Sequence, residues 1–104
     1  MTRQYIITCL SVNNNDGEMN SYLKAVCDTD EAARELLQDT FNAADQGYES
    51  KFGAVYSNPE WINTNSFKMT CSLKAGYTTL SYTETLFLSW TWKEETYNTK
   101  WILE

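Results

Sequence analysis

Residues 28–47 read DTDEAARELLQDTFNAADQG, and the reading of this stretch organises everything on either side of it. Ala33, Leu36, Leu37, Phe41 and Ala44 recur at the three- and four-residue spacing of one helix face, which predicts an amphipathic helix running to about Ala44. Asp28 or Thr29 offers a side-chain oxygen to the unpaired N–H groups of the first turn. Asp30 and Glu31 place negative charge where the helix dipole favours it. Gly47 is a natural stop.

Upstream, residues 5–12 and 21–27 are rich in β-branched and aromatic side chains and flank Asn13-Asn14-Asn15-Asp16-Gly17-Glu18, the pattern of a β-hairpin. Asp16-Gly17 suits a two-residue type I′ turn, in which both central residues take φ > 0. Leu10 would then oppose Leu23, and Ile6 would oppose Cys27. This register predicts Ile6, Leu10, Val12, Leu23, Ala25 and Cys27 on one face. Tyr5, Ile7, Cys9, Tyr22, Lys24 and Val26 fall on the other, so Cys9 and Cys27 are expected on opposite faces. The Asn13–Glu18 run has oxygen ligands but not the spacing of a calcium loop.

Downstream, a strand is expected within residues 50–56, ended by Asn58-Pro59, and residues 45–65 as a whole read as a crossover. Phe67, Met69, Cys71 and Leu73 alternate with Lys68, Thr70, Ser72 and Lys74, and Ala75-Gly76 turns the chain into a partner strand. The parity of Leu80 and Tyr82 continues through Leu86, Leu88, Trp90 and Trp92 and is interrupted only by Glu84. One long bent strand, or two meeting near Thr83-Glu84-Thr85, accounts for it. A final strand is expected over Thr99–Leu103. The order is ββα, crossover, βββ: one α+β domain over residues 1–104, with a mainly antiparallel sheet of five or six strands and one helix packed on one face. A helix of this length, ~24 Å, covers one side of a sheet only. The first hairpin is apolar on both faces, so either residues 45–65 or a partner must cover the second, and self-association as a homodimer is expected.

The 104 residues carry 14 acidic and 8 basic side chains, a formal charge of −6, and no histidine. Without histidine the usual neutral-pH acid/base, the commonest zinc ligand and the centre of most hydrolytic triads are gone. Cys9, Cys27 and Cys71 form no CxxC pair, which suits a reducing compartment, three free thiols and no bound metal. No apolar run approaches a membrane span and no signal peptide is visible, so a cytoplasmic protein is expected. An acidic surface with pI near 4.5 disfavours direct contact with nucleic acid or an anionic membrane and favours a basic protein partner. No catalytic residue or cofactor is assigned, because the cysteines sit in apolar strands and no phosphate loop or nucleophile elbow is present.

Residues 28–49 hold seven acids and one base, Arg34. On a helix, Glu31, Glu35 and Asp39 fall within an arc of about 80°, with Asp28 inside it and Asp45 at its edge, opposite the apolar stripe. Together with Trp61, expected on a loop beside Pro59, these residues are the candidate contacts for a basic surface, such as that of a nucleic-acid-binding protein. Imitation of DNA itself is strained, since helical acids lie ~6 Å apart along the axis and duplex charges ~1.7 Å. In size, charge and organisation the chain resembles small acidic inhibitors of phage and mobile elements, the anti-CRISPR and antirestriction classes. That resemblance implies a non-catalytic protein that blocks a host protein's basic groove. The alternative is an aromatic-faced ligand-binding or oligomeric module built on Trp61, Trp90, Trp92 and Trp101, although the parity of Trp90 and Trp92 predicts core packing for those two.

Overall fold

The computed structural model describes residues 2–93. The elements are β1 (Arg3–Asn13), β2 (Met19–Cys27), α1 (Asp30–Asp45), β3 (Ala54–Asn63), β4 (Ser66–Ala75) and β5 (Thr78–Trp92). They build one five-stranded sheet in the order β2-β1-β5-β4-β3, antiparallel at every step. Two hairpin systems are therefore joined through the long-range β1–β5 ladder, which runs from Arg3↔Trp92 to Asn13↔Tyr82 without a shift. β5 is a single strand: Glu84 is paired on both sides, with Ser11 and Met69, so the backbone ladder carries it through. The strand expected at Thr99–Leu103 lies outside the described residues.

The first hairpin departs from the expected register. Gly17 takes φ 77°, but Asp16 is not among the positive-φ residues, so a type I′ turn cannot form. The chain instead makes a four-residue loop, closed by Asn13 N donating to Glu18 O at 2.8 Å. Asn14 is held outward by β5: its N donates to Ser81 O at 2.8 Å, and its side-chain oxygen accepts from Thr83 Oγ1 at 3.0 Å. Thr8 therefore opposes Leu23, while Ile7 opposes Ala25, leaving Lys24 as the extra residue of a bulge. Tyr5 opposes Cys27, so Cys27 shares a face with Cys9, contrary to the two-residue register. The four-residue offset along β1 from Tyr5 to Cys9 still separates the thiols by about 13 Å, and all three cysteines are free.

The helix follows the sequence closely. Thr29 is the N-cap, its Oγ1 accepting from Ala32 N at 3.1 Å, and Gly47 takes φ 70° just past the end. Ala33, Leu37 and Ala44 are buried and Phe41 is partly so, whereas Leu36, expected on the same stripe, is 39% exposed. Beneath the helix lie Ile7, Cys9, Phe67, Met69 and Leu86. α1 is about 24 Å long and β5, with 15 residues, about 50 Å. The helix therefore covers only the middle of its sheet face.

Residues 45–65 are not a layer over the other face. Residues 46–53 turn on the helix side, and β3 then runs through Asn58-Pro59 as an edge strand. The expected break does not occur because the ladder shifts there and Asn58 takes φ 52°, and an edge strand tolerates the missing proline N–H. Strand alternation puts Ile6, Leu10 and Val12 opposite the helix-covered Ile7 and Cys9. Together with Met19, Leu23, Val26 and Phe87 they form an open apolar face, with no other described element across it.

Candidate functional site

The capped helix presents Glu31, Glu35 and Asp39 as an exposed row, and Asp28 and Asp45 are exposed at its two ends. Arg34, the only base of this segment, is turned away from the row. Its Nε pairs with Asp30 Oδ2 at 2.9 Å, Nη1 donates to Thr64 O at 3.2 Å, and Nη2 donates to Asn65 Oδ1 at 2.9 Å. The guanidinium thus fastens the helix start to the β3–β4 turn. Among the described residues the only other ion pair is Lys68–Glu60 at 3.8 Å, so Glu31, Glu35 and Asp39 stand without a cation.

Trp61 is on β3 rather than a loop. Its ring stacks on Phe41 with centroids 4.8 Å apart and meets the edge of Phe67 at 5.3 Å, leaving it 37% exposed. It lines a shallow cleft with Gln38, Asn63 and Thr64, and Gln38 is the helical neighbour of Asp39. The structure therefore brings Trp61 to one flank of the acidic row, mainly as packing.

The other flank is a cavity of about 420 Å³, bounded by Lys24 from the bulge, Asp39 and Ala43 from the helix, and Tyr48, Tyr56 and Met69. Tyr48 and Tyr56 are stacked at 6.3 Å. Across the sheet from Met69 lies Glu84, 8% exposed. Burial, and secondarily the Glu84 charge, push the Cys71 thiol above its ordinary value, with the Tyr56 hydroxyl as a hydrogen-bond neighbour working the other way. Cys9 is likewise raised, chiefly by burial, against the opposing hydrogen bond from Tyr22. Burial also pushes Tyr56 up to about 12 and raises Tyr22. Protonated thiols are poor nucleophiles and poor ligands. Among the described residues no three cysteine or carboxylate side chains are grouped to hold a metal ion. The cluster was signalled in the sequence only by Glu84, the single charge in an otherwise apolar parity.

Trp90 and Trp92 keep the parity of Leu86 and Leu88 but not their burial. Each is 46% exposed, because the helix does not reach them. They meet edge to face at 5.1 Å, and the Arg3 guanidinium lies 4.2 Å and 5.6 Å from their ring centres. Arg3 thus occupies the ring face that a stacking ligand would need. No helix among the described residues is long and apolar enough to cross a membrane. No family model, curated protein or solved structure matches this chain.

Proposed function

We propose that this chain is a non-catalytic protein-binding domain whose acidic helix face occupies a basic surface, such as the nucleic-acid-binding surface of a host protein, and so inhibits it. The observation that carries this reading is the exposed row Glu31, Glu35, Asp39, which no cation among the described residues neutralises, Arg34 being engaged at Asp30, Thr64 and Asn65. A charged row on a rigid, capped helix steers a basic partner into place and sets the rate of encounter. The buried, protonated thiols support a role without nucleophilic chemistry, and three unpaired cysteines suit action in the reducing cytoplasm. In this reading the protein works as small acidic inhibitors of phage and mobile elements do.

The test replaces Glu31, Glu35 and Asp39 with glutamine. The fold should persist, since exposed substitutions by a good helix former cost within about 0.5 kcal/mol each. A partner captured from host lysate at near-physiological salt should then associate more slowly with the triple variant, and the salt dependence of that rate should flatten. Unchanged rate and salt response would reduce the row to a solvated helix face.

A further inference from the structure

We infer that the open face of the sheet is the contact surface of a homodimer, in which two copies stack β2-β1-β5 on β5-β1-β2 about a two-fold axis along β1. The inference does not depend on the acidic helix reading, because the two surfaces lie on opposite sides of the sheet.

Met19, Leu23, Val26 and Phe87 are 61%, 59%, 46% and 38% exposed, and Ile6, Leu10 and Val12 fill the row between them. These seven side chains leave on the order of 500 Å² open, at the upper end of what a monomer exposes in one patch. Two copies therefore supply about 1,000 Å² before their threonine and serine neighbours are counted, which reaches the threshold of a specific interface.

Three observations favour a second copy as the occupant. The patch contains no charged side chain, so a basic protein finds no complement there. The acids of residues 28–49 lie with the helix in the opposite layer, so two copies stacked through their open faces keep those charges on the two outer surfaces. Growth of the sheet by edge pairing is obstructed at both ends: β2 carries the Lys24 bulge, and β3 carries Pro59 and its shifted ladder. Face stacking is the self-complementary route that remains.

The axis along β1 preserves position along the strands. Leu10 therefore meets Leu10 of the partner subunit. Phe87 and Leu23 both flank Thr8, on β5 and β2 respectively, so each Phe87 comes over the partner's Leu23. Lys68 and Lys74, on β4, remain outside the overlap.

Sedimentation velocity of the full chain from about 1 to 100 µM tests this. The expected mass is twice 12.0 kDa, and Leu23→Lys and Phe87→Lys should each weaken the dimer by at least a hundredfold while leaving the far-UV spectrum unchanged. Leu36→Lys, on the helix, should leave the dimer intact, and so should the triple glutamine variant. A wild-type monomer at 100 µM would overturn the inference, whether residues 94–104 or a different protein proves to cover the face. A dimer insensitive to both Leu23→Lys and Phe87→Lys would overturn it equally. Loss of partner binding in the triple variant bears only on the helix.

Discussion

Replacing Trp61 with alanine separates a packing role from a contact role. At 37% exposure, Trp61 has about 150 Å² of side chain withdrawn from water by Phe41 and Phe67. Alanine keeps little of that contact, so roughly 120 Å² is lost, worth about 3 kcal/mol at ~25 cal/mol per Å². Loss of the stacked ring pair at 4.8 Å and the edge contact at 5.3 Å adds about 0.5–1.5 kcal/mol per aromatic pair at most. The neighbouring cleft is open to solvent, so no sealed void is left to add a cavity cost. The total is about 4–6 kcal/mol, a large share of the ~5–15 kcal/mol that holds a small domain together. At ~4–8 °C per kcal/mol for a chain of this size, the melting temperature should fall by roughly 15–50 °C. Urea and thermal unfolding followed by far-UV circular dichroism are suitable, because the substitution alters fluorescence directly. Trp61→Phe, which keeps a ring over Phe41, should recover most of the loss. A Trp61→Ala protein within about 0.5 kcal/mol of wild type would refute the packing argument and return Trp61 to a pure contact role.

Glu84→Gln should stabilise the fold by about 1 kcal/mol, since it removes a largely buried charge that has no cation partner among the described residues. The same change should lower the titration midpoints of Cys9 and Cys71, because the Glu84 charge helps to raise both; thiolate absorbance against pH reads this directly, and an upward or absent shift would contradict it. Alkaline stability tests the whole cluster. The folded chain holds the protons of Cys9, Cys71, Tyr22 and Tyr56 more tightly than the unfolded chain does, so their contribution is complete below the ordinary thiol value of 9.0 and is lost progressively above it, the share of Tyr56 as pH rises through about 12. The melting temperature should therefore fall steadily from pH 9 upward, and a flat profile to pH 11 would mean that these groups are open to water.

The helix limits, the two hairpin systems, the antiparallel class and the acidic row are all legible in the sequence, because each rests on residues close together in the chain. Thr29 caps the helix and Gly47 ends it through local hydrogen bonding and backbone freedom. The alternation of Phe67 through Leu73 shows its pleat within a few residues. The tertiary structure decided what depends on distant partners. Asn14 is drawn to Ser81 and Thr83, which widens the first loop and shifts its ladder, so a turn dipeptide read alone assigned Cys27 to the wrong face. Pro59 is tolerated because β3 ends up at an edge. Parity along β5 correctly identified which sheet face Glu84, Leu86, Trp90 and Trp92 share, but a two-residue period carries no information on how far along the strand a covering layer extends. A helix of about 24 Å laid on a strand of about 50 Å buries Leu86, leaves Trp90 and Trp92 half-exposed and draws Glu84 into the cluster beside the cavity. Which face a side chain takes is a local property of the strand, whereas its burial depends on where the finite helix comes to rest.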